Sequence, residues 1–268
     1  MKTHFSRSDL RAALSKLPLE RSDIIFSHSN LGFFGRPDGV SNSVQLCELF
    51  FEELMTKLGD KGTLVVPTFT YSFPRKQVFD PLGSTSEMGL FAEWVRSHPD
   101  SIRSEDPCYS VAAIGGDACS LVSNVPQNSF GDDSFFDRFY QAGGKVLNFN
   151  FDAGSTFVHY VERKLGVQYR FDKTFNGVIT KNGVNHPAAS TIWVRYLSDD
   201  ALEFDSKPLD KLARENRIFS HASLGRGQIG LISAQDTYKC ISETLPKRPW
   251  FLTKAESMKI LQPRIVRE

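Results

Sequence analysis

Short apolar runs alternate with amphipathic stretches from residue 8 to residue 166, and that alternation restricts the chain to a layered α/β architecture. Residues 23–26, 63–67, 110–114 and 145–151 read as buried strands. Leu10, Leu14 and Leu17 fall at helical spacing, and residues 43–58 form the clearest amphipathic helix, ended by Gly59. Residues 87–96 and 134–142 read as further helices. The strand over 145–151 runs into a polar turn and then a helix over 155–165.

Beyond residue 166 the pattern changes. A hairpin with an Asn182-Gly183 turn is expected, followed by a strand over 191–197 and an acidic, irregular stretch over 199–211. Strand and helix return over 227–245. No repeat or low-complexity linker divides the chain, so residues 1–268 read as a single domain, long enough to bury a substantial core. The net charge of +1 provides no global field for nucleic acid or a membrane surface. No apolar run approaches the ~18 residues of a membrane span. Cys47, Cys108, Cys119 and Cys240 show neither Cys-x-x-Cys nor finger spacing, which reads as reduced thiols in a cytoplasmic protein.

Chemistry concentrates at the start of the helix over 155–165. Thr156, His159 and Glu162 recur every three residues, and each step turns the helix about 60° backwards, so the three form one slanting polar stripe. A hydroxyl, an imidazole and a carboxylate where a strand feeds a helix suit acid–base work. The bland alternative is a histidine satisfied on a surface or in the core. His-x-x-Glu can also supply two metal ligands, but no third ligand stands at recognisable spacing and no metal is expected. The loop Ser27-His28-Ser29-Asn30 lacks the P-loop and dinucleotide-binding glycine patterns, which argues against ATP and NAD. Asp132 and Asp133 precede a helix and read as caps. Arg170 with Lys173 reads as surface, Phe136 with Phe139 as core.

Six segments then line up in order: 26–35, 62–70, 88–96, 103–115, 130–134 and the Thr156/His159/Glu162 stripe. Phe26-Ser-His28-Ser29-Asn30, Arg103-Ser104-Glu-Asp-Pro107-Cys-Tyr-Ser110-Val111 and Phe130-Gly-Asp-Asp-Ser134 carry most of the signal. Together they resemble the aminoglycoside 3-N-acetyltransferase (antibiotic N-acetyltransferase) family over roughly residues 20–245. The resemblance is specific for the family and much less so for the acceptor.

With it, the expected fold is a three-layer α/β/α with a mixed central sheet and a C-terminal β-rich insertion packed on the same core. The resemblance implies acetyl-CoA as co-substrate. His28, Ser29 and Asn30 would meet the coenzyme A arm, and Arg103, Ser104, Ser110 and Val111 its phosphate and pantetheine groups. His159 would be the general base, Glu162 would hold or charge its ring or attract the substrate ammonium, and Thr156 would support the reacting groups. Direct transfer is favoured, because Cys108 has no basic neighbour in sequence to activate it. Asp106 stands where the family usually has His. The expected partner is a small-molecule amine: an aminoglycoside, or an amino sugar of a surface polysaccharide or metabolite. Neither nucleic acid nor membrane is expected, and a homodimer stays open. A metal-dependent hydrolase using His159 and Glu162, and a catalytically silent coenzyme-binding relative, are the alternatives.

Overall fold

The computed structural model describes residues 3–266. Its strands are β1 (Ile24–Ser29), β2 (Thr63–Pro67), β3 (Ile102–Arg103), β4 (Val111–Gly115), β5 (Lys145–Phe149), β6 (Arg170–Lys181), β7 (Val184–Arg195), β8 (Ser220–Leu224) and β9 (Gly227–Ser233). Seven of them form a sheet in the order β3-β4-β2-β1-β5-β9-β8. β2, β1 and β5 run parallel at its centre, and β4 and β9 flank them antiparallel, which makes the sheet mixed as expected.

Side-chain alternation along the central strands builds two cores. Ile24, Phe26, Val65, Val111 and Val146 point to one face. There they meet α4 (Ala118–Val122), α5 (Phe135–Gln141), α6 (Phe157–Leu165), α7 (Lys207–Glu215) and α8 (Ala234–Thr244). Ile25, Leu64, Val66 and Leu147 point to the other, against α1 (Arg7–Ser15), α2 (Ser43–Leu58) and α3 (Leu90–Arg96). The helix ends follow local chemistry. The Asn42 side chain accepts the Gln45 N–H at the start of α2, and Gly59 ends that helix at φ 70°. Ser134, not Asp132 or Asp133, caps α5 by accepting the Asp137 N–H. The two aspartates are ion-pair partners instead, Asp133 of Arg138 and Asp132 of Lys164. Arg138 also bonds the carbonyls of Ser120 and Ser123, so Asp133 holds a cation that ties α5 to α4.

The β-rich insertion is one long hairpin, β6–β7, paired residue by residue from Arg170↔Arg195 to Lys181↔Val184. It lies within the chain order, since α7, β8, β9 and α8 follow it and complete the central layers. Asn182 and Gly183 turn it with φ of 51° and 75°, the left-handed pair that a tight hairpin requires. Two loops of the main body pin its flanks. Phe79 exchanges backbone hydrogen bonds with Val178 and Thr180, while Gln127 and Ser129 bond Thr191. Between them Phe73, Phe79, Cys108, Ile179 and Ile192 form a third apolar cluster. Gly177 lets the Phe73 ring lie flat on the hairpin, because a Cβ there would sit 2.5 Å from that ring. A last short helix, α9 (Lys254–Met258), packs near Glu203 through the Lys254–Glu203 ion pair.

Candidate active site

The carboxyl ends of β1 and β5 open beside the start of α6, the position where open α/β sheets place ligands. His28 on β1 stands opposite Asn148 on β5 in the ladder. Its Nε2 lies 3.3 Å from Thr156 Oγ1, and its ring packs edge-on against Phe26. Burial drives its pKa down to about 4, only partly opposed by Asn148, so the ring is neutral at physiological pH. Asn150 follows at φ 64°. It spans two edges, accepting the Gln228 N–H at 3.1 Å and donating to the Asn30 carbonyl at 3.0 Å. Gly227 leaves room for this, since a Cβ there would overlap the Asn150 amide at 1.7 Å.

One helical turn beyond Thr156, His159 Nδ1 lies 2.7 Å from Glu162 Oε2. Glu162 is completely buried. Its other oxygen accepts the Tyr169 hydroxyl at 2.9 Å, and Arg170 Nε approaches Oε2 at 2.8 Å. Burial pushes this carboxyl upward, but Arg170 and His159 together outweigh it and hold Glu162 below the usual range, hence ionised. Burial, with Arg170 acting in the same direction, holds His159 below its ordinary value despite the carboxylate. A neutral ring donating Nδ1–H to an ionised Glu162 leaves the Nε2 lone pair as its acceptor. Phe130 and Phe204 close on the ring edge-on, at centroid distances of 6.0 and 5.4 Å. The result is a carboxylate-oriented imidazole in an apolar collar.

The stripe read from the sequence is therefore assembled, but in two pairs: Thr156 with His28, and His159 with Glu162. Arg170 had read as surface and is instead 9% exposed and turned to Glu162. Nothing in a lone Arg after a tyrosine announces that placement. Tyr169, Asn148 and Phe204 were likewise missed, because their roles depend on strand pairing and on a distant loop. Lys173 is exposed, as the sequence suggested, and Phe136 and Phe139 are core.

The residues expected to meet coenzyme phosphates make internal hydrogen bonds. Arg103 bonds the backbone carbonyls of Thr68, Pro81 and Ser84, and its Nε shares the hydroxyls of Thr68 and Ser110. Ser110 Oγ donates to the Thr68 carbonyl, and Ser104 Oγ accepts the Val111 N–H. Ser104, Ser110 and Val111 are almost fully buried. These four residues stitch β3, β4 and the loop after β2 together. Asp106 is also internal: Oδ1 accepts the N–H groups of Cys108 and Tyr109, turning the chain into β4. Burial raises its pKa, with Ser129, Tyr109, Cys108 and Ser190 opposing.

Around β1 and β5 some polar atoms are buried without a partner. Ser27 Oγ, His28 Nδ1, Asn148 Oδ1 and Ser155 Oγ are buried without a hydrogen-bond partner, and no side chain caps the first turn of α6. Cys108 is buried, and its thiol is pushed up to about 12, so it is no nucleophile at neutral pH. Among the described residues no group of three His, Cys, Asp or Glu side chains gathers as a metal-ligand set.

A family model described as aminoglycoside 3-N-acetyltransferase matches residues 28–246. The chain belongs to that family. Membership makes it an acyltransferase with acetyl-CoA as co-substrate. Among curated relatives of the family, the aminoglycoside N(3)-acetyltransferase IX of Micromonospora chalcea is 25% identical over 263 residues, 87% of this chain and 88% of its own. Two solved members share the fold: AAC-IIIb as a binary complex with CoASH and AAC-VIa bound to sisomicin. Both superpose with a TM-score of 0.76, at 20% and 23% identity. They cover 91% and 92% of this chain, and 97% and 99% of their own. Among the described residues no helix is long and apolar enough to cross a membrane.

Proposed function

We propose that this protein transfers the acetyl group of acetyl-CoA to a primary amine of an amino sugar, with His159 as general base. The relatives named for aminoglycosides support the amino-sugar acceptor. The observation that carries the assignment is the 2.7 Å His159–Glu162 contact in a buried setting, with Nε2 left as the acceptor.

Attack by the amine forms the N–C bond at the thioester carbonyl, and the C–S bond breaks. The proton leaving the amine goes to His159 Nε2 and from there to the departing thiolate. Glu162 fixes the ring and stabilises the imidazolium that forms transiently. Arg170 and Tyr169 hold Glu162 and are positioning residues. The uncapped first turn of α6, with Thr156, would meet oxygen atoms of the acetyl donor. His28, Ser29 and Asn30 would border the coenzyme arm. Four unpaired cysteines, three of them buried, fit a reducing compartment, and the cytoplasm is the proposed location.

Thiol release from acetyl-CoA across a panel of amino sugars tests this reading. The His159→Ala variant should lose kcat by about a hundredfold or more while its affinity for coenzyme stays within a few-fold. An unchanged kcat sinks the base assignment. Ser29→Trp should block coenzyme entry, and normal binding in that variant would move the coenzyme site elsewhere.

A further inference from the structure

A cleft of about 430 Å³ opens between the β6–β7 hairpin and the Glu203–Phe204 segment, and three of the side chains along it connect to the dyad. Arg170 holds Glu162, and Phe204 lies edge-on to His159. Tyr109 lies edge-on to Phe130, which is itself edge-on to His159. None of residues 28–30 lines the cleft, which leaves it to the acceptor. Of the three side chains, Arg170 is committed to a carboxylate and Phe204 carries no polar group. Tyr109 alone among them offers a neutral hydroxyl near the proposed base.

Two turns locked together fix that tyrosine. Asp106 Oδ1 accepts the Tyr109 N–H at 2.9 Å. The loop after β2 is fastened to the same turn, because Thr70 Oγ1 and the Ser72 N–H both donate to the Pro107 carbonyl, at 3.1 and 3.0 Å. Ser72 Oγ in turn donates to Thr70 Oγ1 at 2.8 Å, and both side chains are buried. Between them Tyr71 stands at φ 50°, a left-handed conformation that a bulky residue adopts only where its surroundings impose it. The Tyr71 ring is thereby set at 82° to that of Tyr109, with centroids 5.4 Å apart, and the two hydroxyls are hydrogen-bond partners. Burial, with Tyr71 acting in the same direction and Arg170 opposing, keeps the Tyr109 phenol well above its ordinary pKa and so neutral. A phenol that makes one hydrogen bond can still make another, so Tyr109 is free to meet a ligand as well.

We infer that Tyr109 helps to determine acceptor choice: its hydroxyl bonds a sugar oxygen next to the amine that His159 deprotonates, while Tyr71 and Asp106 position it. The inference rests on the acetyl-transfer reading above and adds a residue to its acceptor side. It also gives a part to Asp106, which stands where the family usually has His.

The test uses kanamycin and glucosamine as acceptors for the parent, Tyr109→Phe, Tyr71→Phe and the double variant. Thiol release gives kcat/KM, and titration calorimetry without coenzyme gives acceptor affinity. Phe keeps the ring against Phe130 and removes only the hydroxyl. Tyr109→Phe should lower kcat/KM for the better acceptor about tenfold, with the KM for acetyl-CoA within about twofold. Tyr71→Phe should show a smaller loss in the same direction, and the double variant should be no worse than Tyr109→Phe, since Tyr71 acts through Tyr109. Unchanged kcat/KM in Tyr109→Phe overturns the inference. Losses that add in the double variant, or that fall equally on acceptor and acetyl-CoA, overturn it as well and leave the pair a packing element. Acceptor binding that weakens in Tyr109→Phe, with no thiol release even from the parent, upholds the contact and refutes the acetyl-transfer reading instead. A parent that neither binds nor acetylates either acceptor refutes both.

Discussion

Replacing Arg170 by Gln tests whether the buried carboxylate, and through it the proposed base, is set from the hairpin. Arg170 Nε lies 2.8 Å from Glu162 Oε2, with Glu162 fully shielded from water. At an effective dielectric constant of about 20, two charges about 4 Å apart attract by about 4 kcal/mol. Breaking a buried pair by removing one member commonly costs about 3–5 kcal/mol. Glu162 keeps the Tyr169 hydroxyl and the His159 ring, so the lower end, about 3 kcal/mol, is expected near pH 8. His159 supplies the second readout. Burial and Arg170 both depress its pKa, and the variant removes one of the two causes. The imidazole then protonates at higher pH beside an unneutralised Glu162, and the acid limb of the kcat/KM profile moves to higher pH. The raised value adds stability below it, so the variant's deficit shrinks on acidification. Urea unfolding at two pH values and a pH–rate profile measure both effects, with Arg170→Lys as the charge-retaining control. A loss below about 1 kcal/mol together with an unmoved acid limb would refute the electrostatic argument.

Three further outcomes follow from the same geometry. Tyr169→Phe removes a hydroxyl bonded to a buried carboxylate and should cost about 1.5–3 kcal/mol in urea unfolding; a loss under ~0.5 kcal/mol would show that bond to be idle. His28 titrates at about 4 when folded and near 6.5 when unfolded, so the unfolded chain binds more protons between those values and stability falls as pH drops below 6.5. Its share of that fall between about pH 7.5 and about pH 5 is about 2 kcal/mol, which His28→Gln should abolish; equal acid lability in both proteins would contradict it. Asp106→Asn keeps an oxygen for the Cys108 and Tyr109 N–H groups and should melt within a few degrees of the parent, whereas Asp106→Ala should lose about 1–2 kcal/mol, and equal melting of the two variants would refute the turn role.

The sequence revealed the parts of this molecule that depend on short-range periodicity. Strands with apolar residues on both sides, as in Ile24-Ile25-Phe26, declare a central sheet, and Asn182-Gly183 declares a hairpin. The three-residue spacing brought His159 to Glu162, because the helix alone fixes that distance. Features set by tertiary contact were hidden. Arg170 begins β6 and looks like any surface cation until the hairpin folds back over α6. The Arg103–Val111 segment illustrates the converse. Its polar composition suggested a ligand contact, yet those polar groups satisfy backbone carbonyls and N–H groups that strand edges would otherwise leave unmade.

Arg170 is at once the first residue of β6 and the counter-charge of Glu162. The anchoring of the hairpin and the proton affinity of the proposed base are thereby written on one stretch of backbone. Remodelling the start of the hairpin will shift the pH optimum as well, and variants selected only for hairpin stability will carry altered pH profiles.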